Sequence, residues 1–199
     1  MKKFEEKKFD IPTLKGISAK TIEEHLKLYS GYVKNANLIQ SLIEMYGKVD
    51  DEGGKYTLME ATRRFGFEFD GMRNHEIYFG HFEGGSTTLT TDGLLHQAIE
   101  NEFNSFDAWI TRFKTIALTR GVGWAILGYD RVSGRLVNYW VDEQQLGHLT
   151  GVQPILALDM WEHSFVADYQ PSGKKQYIED FFANLNWQTC EQNFQNATK

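Results

Sequence analysis

An acid and a histidine four residues apart, Asp159 and His163, follow the apolar run PILAL within the segment DMWEHSF. A carboxylate oxygen and an imidazole nitrogen both suit a transition metal, and neutral imidazole is a common ligand of iron, manganese and zinc. An acid and a histidine at this spacing are, however, more often a helix N-cap and a surface histidine. The pair alone therefore leaves open whether it binds a metal.

Two further histidines, His25 and His75, fall on apolar faces of predicted helices, where an unpaired imidazole is costly to desolvate. Each alone reads as a core histidine whose ring is satisfied. Together with Asp159 and His163 they form a set of three nitrogens and one oxygen drawn from both halves of the chain. This set predicts a metal at the seam between the halves. Of the remaining three histidines, His81 and His96 are interpreted as surface or loop residues. His148 is interpreted as a residue at the mouth of the site.

The elements that must carry these side chains begin with a long helix from Ser18 to Met45, where apolar residues recur at helical spacing. The cluster DDEGGK at 50–55 predicts a turn, and helical character resumes over 57–82 with an interruption around 66–71. These two segments predict a helical hairpin, which we assign to a first domain at residues 1–84.

The second domain is predicted at residues 85–199. Its periodicity favours helices over 93–103 and 105–119, strands over 124–129, 135–141 and 153–158, and helices again over about 175–187. The expected fold class is α+β: an N-terminal α-helical hairpin followed by an α/β domain with a small three-stranded antiparallel sheet. The metal would lie at the seam between the two domains.

Composition limits the classes of partner and compartment. The 199 residues carry a net charge of −6 with no basic stripe beside the aromatics, which argues against nucleic acid. No window approaches the roughly 18 apolar residues of a membrane helix, and the charged N-terminus is not followed by the apolar segment of a secretory signal. The single cysteine, Cys190, interpreted as a partly buried thiol, fits a reducing compartment. We therefore expect a cytoplasmic protein with no membrane partner.

Four segments, in the same order along nearly the whole chain, resemble signatures of the iron/manganese superoxide dismutase family: FDIPTLKGISAKTIEEH, RNHEIYF, GVGWAIL and DMWEHSF. The resemblance implies an enzyme that converts superoxide to dioxygen and hydrogen peroxide by cycling one mononuclear metal between its trivalent and divalent states. It implies one manganese or iron ion per subunit of a homodimer. It also implies the metal ligands, which are His25, His75, Asp159 and His163.

The resemblance assigns roles around these ligands as well. Tyr32 matches the tyrosine of the substrate channel, Trp124 and Trp161 match its apolar wall, and Glu162 would reach across the dimer interface to the other subunit's His163. In this family an amide or imidazole side chain hydrogen-bonds the solvent at the metal, and its origin in the chain loosely follows the metal used.

That solvent partner is expected from the segment DEQQ. Gly71, four residues before His75, has no side chain to offer, so the resemblance points to Gln144, with Gln145 as the alternative. This origin favours manganese over iron, and either metal could support activity.

Several positions depart from the family pattern. Leu28 and Val166 stand where many members place a histidine and a tyrosine that pair across the dimer. Lys174 is the nearest match to an arginine at the mouth of the channel.

Two other functions stay open from the sequence. The first is a metallohydrolase that activates water on zinc, although its only adjacent carboxylate would be Glu162. The second is a non-catalytic relative that kept the fold and lost the chemistry, which retention of the ligands, Tyr32 and a glutamine argues against.

Overall fold

The computed structural model describes residues 2–199 and has the expected α+β architecture, a helical hairpin followed by helices around a three-stranded sheet. The helices are α1 (Ala19–Tyr46), α2 (Glu52–Gly80), α3 (Leu94–Phe103), α4 (Phe106–Ala117), α5 (Val166–Tyr169), α6 (Lys174–Asn184) and α7 (Trp187–Ala197). The strands are β1 (Gly123–Asp130), β2 (Arg135–Asp142) and β3 (Val152–Asp159).

The hairpin begins with capped helices. The Ser18 side chain accepts a hydrogen bond from the Thr21 N–H at the start of α1, and Asp51 accepts one from the Gly54 N–H, 2.9 Å away, at the start of α2. The turn predicted over 50–55 was therefore wrong in extent, because Asp51 is an N-cap and its successors already form the first helical turn.

The interruption predicted around 66–71 was also wrong, because α2 is continuous. Gly71 lies directly beneath Tyr32 of α1, and a Cβ atom built on Gly71 would lie 2.6 Å from Tyr32 Cδ1. The glycine thus allows close approach of the two helices. Packing between α1 and α2 overrides the weak helix propensity of glycine.

The sheet has the strand order β2-β1-β3, and both pairings are antiparallel. All three strands were predicted to within one residue at each end. In this register Trp124 on β1 lies opposite Asp159, the last residue of β3. The beginning of the central strand therefore lies beside the end of the strand that carries the predicted carboxylate ligand.

The helical stretch predicted over 175–187 is two helices. α6 ends before Leu185, which is extended, and Asn186 caps α7 by accepting a hydrogen bond from the Gln188 N–H. Cys190 on α7 is fully buried, where partial burial was expected.

One core joins both predicted domains, since buried residues of α1 and α2 and of the sheet and C-terminal helices form a single apolar cluster. The boundary between 84 and 85 stays a prediction. Across residues 2–199, no helix has both the length and the apolar character needed to cross a membrane.

Candidate metal centre

Four side chains meet where the hairpin packs on the end of β3. His25 comes from α1, His75 from α2, Asp159 from the end of β3, and His163 from a short 3-10 turn at Glu162–Ser164. One ligand atom from each lies within 4.8 Å of all the others. Within residues 2–199 this is the only group of three or more histidine, cysteine or acidic side chains so arranged.

The three histidine Nε2 atoms converge on Asp159 Oδ2. This oxygen lies 3.1 Å from His25 Nε2, 3.2 Å from His163 Nε2 and 3.7 Å from His75 Nε2. Donor atoms that share one ion at about 2.1 Å lie roughly 3 to 4 Å apart. The spacing therefore fits a single mononuclear ion.

The His75 ring is prepared to act as a ligand. Its Nδ1 donates a hydrogen bond to the Gly71 carbonyl 2.6 Å away, which leaves Nε2 with a free lone pair. Nε2 is buried and has no hydrogen-bond partner within residues 2–199. Burial lowers the pKa of His75 to about 3, so the ring is neutral at physiological pH. A buried acceptor without a partner is costly unless a metal occupies that position.

Asp159 is held on three sides. Its Oδ1 accepts a hydrogen bond from the Trp161 N–H at 2.8 Å, and its backbone carbonyl accepts from the Tyr177 hydroxyl at 2.9 Å and the Ser164 hydroxyl at 3.0 Å. Burial alone raises the pKa of Asp159, but the neighbouring His163 and His25 rings reverse this and lower the pKa below its ordinary value. The carboxylate is thus ionised and fixed in orientation.

A hydrogen-bonded chain that ends at Tyr32 lies beside the cluster, and the rings of Tyr32 and Trp124 at its two ends contact His75. Gln144 Nε2 donates to the Tyr32 hydroxyl at 2.9 Å, and Gln144 Oε1 accepts from Trp124 Nε1 at 2.9 Å. Gln144 is fully buried, and its backbone carbonyl accepts from Asn74 Nδ2 at 3.0 Å. Gln145, the alternative, instead lies beside Gly66, with its Cγ 3.8 Å from a Cβ position there.

Two tryptophans border the cluster. The Trp124 ring centroid lies 5.1 Å from that of His75, and Trp161 stacks on His163 with centroids 5.7 Å apart. The side chain of His163 is 21% exposed, whereas the other three members of the cluster are closed off from solvent. His163 is therefore the one member of the cluster that is partly exposed, and Glu162 is exposed beside it.

The C-terminal part of the chain matches the family model described as "Iron/manganese superoxide dismutases, C-terminal domain" over residues 91–193, more than half of the sequence. The chain belongs to this family. The matched segment contains Asp159 and His163, the two members of the cluster that the C-terminal part supplies.

Relatives of the iron/manganese superoxide dismutase family extend the match to the helical hairpin. An iron superoxide dismutase of Cupriavidus metallidurans is 35% identical over 191 residues, covering 94% of this chain and 92% of its own. One from Aquifex pyrophilus is 33% identical, covering 94% and 88%. A manganese superoxide dismutase of Mycolicibacterium smegmatis is 31% identical, covering 87% and 82%. The named relatives thus include both metals.

The remaining histidines of this family member lie outside the cluster. His81, expected at the surface or in a loop, is fully buried beside β3. Its Nε2 accepts a hydrogen bond from the Ala157 N–H at 3.2 Å. His96 is on α3 with a side chain only 13% exposed, since it stacks on Phe106, so it is neither a surface nor a loop residue. His148 is half-buried, with Nε2 3.4 Å from Asn74 Nδ2. Its role at the mouth stays a prediction.

Sequence reasoning missed the groups that act through the backbone. Tyr177 and Ser164 fix the carbonyl of Asp159, and Asn74 fixes the carbonyl of Gln144. Nothing in the spacing of Tyr177 distinguishes it from a core tyrosine. Asn74 directly precedes His75, so its position beside a ligand was the one available signal.

Proposed function

We propose that His25, His75, Asp159 and His163 hold one iron or manganese ion, and that this ion is where the chain acts as a superoxide dismutase. Two superoxide anions and two protons become one dioxygen and one hydrogen peroxide, so one anion is oxidised and the other reduced. When bound, the ion supplies the one-electron redox chemistry by alternating between its trivalent and divalent states. The observation that carries the proposal is the convergence of three imidazole nitrogens on one oxygen of Asp159.

The polypeptide contributes charge, shape and protons. Asp159 would supply one negative charge and each histidine one imidazole lone pair, a donor set that stabilises a trivalent or divalent cation. Trp124 and Trp161 wall the cluster with apolar surface, so that only a small substrate would have room. We assign Tyr32 and Gln144 to proton delivery, since they are hydrogen-bonded to each other beside the cluster, where the Tyr32 ring centroid lies 5.0 Å from that of His75. Each pair of superoxide anions consumes two protons, and a hydrogen-bonded hydroxyl can pass protons on.

We propose manganese as the preferred metal. The close approach of Tyr32 to Gly71 leaves no room for an amide side chain at position 71, so Gln144 is the amide that we assign to the site. This is the origin that favours manganese in the family. The relatives named for iron and for manganese support the view that either ion could be loaded.

The deciding experiment loads the metal-free protein separately with manganese, iron and zinc, then measures bound metal and the rate of superoxide loss. We expect one redox ion per chain, activity with manganese and none with zinc. Asp159→Ala and His163→Ala should each lose both metal and activity, because three ligands leave a labile site. Full metal and full rate in either variant would disprove the ligand assignment. Zinc binding together with hydrolysis of an ester would instead support the metallohydrolase.

We further propose a cytoplasmic homodimer whose interface includes the surface around Glu162. Glu162 is exposed next to His163, so its carboxylate is accessible to a second copy. A second copy would bring its own glutamate to the first copy's histidine. The cytoplasmic assignment is supported by the single cysteine, a buried free thiol.

A further inference from the structure

Arg64 on α2 lies close to Tyr32 without belonging to the ligand cluster. Its guanidinium carbon sits 3.6 Å above the centroid of the Phe67 ring. The Phe67 centroid in turn lies 6.0 Å from that of Tyr32, whose hydroxyl accepts the hydrogen bond of Gln144. The Phe67 ring therefore lies between Arg64 and Tyr32 of the proposed site.

The charge of Arg64 is balanced by a buried partner. Its Nε and Nη2 donate to Glu68 Oε1 at 3.2 and 3.1 Å, and Asn35 Nδ2 lies 3.5 Å from Glu68 Oε2. The side chain of Glu68 is 8% exposed and that of Arg64 is 49% exposed. The carboxylate is thus fixed inside while the guanidinium faces solvent on one side.

Both charges act at the Tyr32 hydroxyl. Burial is the largest cause that raises the pKa of Tyr32, and the carboxylates of Asp159 and Glu68 raise it further. Arg64 acts in the opposite direction. The hydroxyl therefore lies in a region where two negative charges are partly offset by one positive charge.

We propose that Arg64 forms part of the superoxide entrance, where its guanidinium offsets the two carboxylates and attracts the anion toward Tyr32. The proposal rests on the function proposed above. Superoxide carries one negative charge and the chain carries −6, so an anion approaching at random meets a repulsive surface. A positive charge at the entrance raises the local concentration of the anion, and salt weakens that effect.

Arg63 provides a matched control. It is the neighbouring arginine on the same helix and also pairs with one carboxylate, Glu60, at 2.7 Å, but its side chain is 73% exposed and it has no ring contact with Phe67. Arg63→Gln and Arg64→Gln change the net charge equally. Any difference between them reports the position of the charge.

The experiment measures the second-order rate of superoxide loss by the manganese-loaded protein at low substrate, as a function of ionic strength. We expect Arg64→Gln to lower this rate about two- to threefold at low salt and the deficit to vanish as salt rises, with metal content unchanged. Arg63→Gln should keep the rate of the parent. Arg64→Lys should restore most of it, because attraction needs a charge rather than a planar fork.

A double variant separates charge from packing. Arg64→Gln leaves Glu68 unbalanced, whereas Arg64→Gln with Glu68→Gln removes one charge of each sign. If electrostatics are responsible, the double variant recovers the parent rate. A deficit that persists in the double variant, or that ignores salt, would overturn the proposal in favour of a packing role on Phe67. Loss of activity in the unaltered protein would instead refute the function itself, so the two failures are distinguishable.

Discussion

Gln144 and Gln145 are chain neighbours with opposite surroundings. Gln144 bonds Tyr32 and Trp124, whereas Gln145 lies beside Gly66. We predict that Gln144→Ala keeps its metal but loses turnover by one to two orders of magnitude, because its amide would hydrogen-bond the solvent at the metal, and a hydrogen bond to a charged group contributes about 1.5 to 3 kcal/mol. Gln145→Ala should be nearly silent. Metal analysis and dismutation rates of both variants test this, and the reverse pattern would contradict the assignment.

At the level of side chains, the sequence was enough to identify the residues whose own side-chain atoms would bind the metal or carry protons. The four cluster residues and Tyr32 carry donor atoms of recognisable type, and the family signatures mark them. Residues such as Tyr177 act by holding the backbone carbonyl of Asp159, and such a contact joins positions 18 residues apart on different elements. Only the folded chain reveals that contact.

The two helices of the hairpin pack closely at Gly71. We predict that Gly71→Ala destabilises the protein by about 1 to 3 kcal/mol and lowers activity, because the added methyl must displace Tyr32 or separate α1 from α2. Gly31 is the control, since a Cβ atom there meets nothing within 4 Å. Gly31→Ala should raise the free energy of unfolding by about 0.5 to 1 kcal/mol through helix propensity. Urea unfolding of both variants measures the contrast, and equal effects would argue against close packing at Gly71.

The end of α2 is joined to β3 by His81. Its Nε2 accepts the Ala157 N–H, two residues before Asp159. We predict that His81→Ala costs about 2 to 3 kcal/mol at pH 7, from an unsatisfied buried N–H and a cavity.

The same histidine should make stability depend on pH. Burial lowers the pKa of His81 to about 3, below the ordinary value of 6.5, so between these values the unfolded chain binds more protons than the folded one. The contribution of His81 is present above pH 6.5 and is lost as pH falls. The difference in unfolding free energy between the parent and His81→Ala should therefore shrink from pH 7 to pH 5. A constant difference would show that the ring does not stay neutral.

The elements themselves were predictable to different degrees. The strands were found because β-branched and apolar runs bounded by turn residues have few other interpretations. The continuous α2 was not, because its glycines signal a break in the sequence and serve close approach in the fold. The two C-terminal helices were merged because the cap at Asn186 depends on geometry as well as residue type.

For the whole molecule, the proposed dimer predicts a link between assembly and the site. Glu162→Ala should weaken the dimer, because the partner of Glu162 would be His163 of the second copy, while each isolated cluster keeps its four ligand residues. Sedimentation at low protein concentration should detect more monomer than in the parent. Glu179→Ala is a suitable control, since Glu179 is a surface acid that pairs with Lys114 inside the same chain. An unchanged dimer would contradict the proposed interface.

The buried contact between His81 and Cys190 has a consequence for the resistance of the protein to hydrogen peroxide, the product of its own reaction. Because His81 Nε2 accepts a hydrogen bond, its neutral ring carries the proton on Nδ1 and presents N–H to the sulfur 3.8 Å away, so it cannot act as a base. Burial also raises the pKa of Cys190 above its ordinary value. Hydrogen peroxide oxidises thiolates, and this sulfur stays a thiol. Mass spectrometry after peroxide treatment should find Cys190 intact in the folded protein and oxidised after unfolding at neutral pH. Equal oxidation in both states would show that the fold does not protect this thiol from hydrogen peroxide.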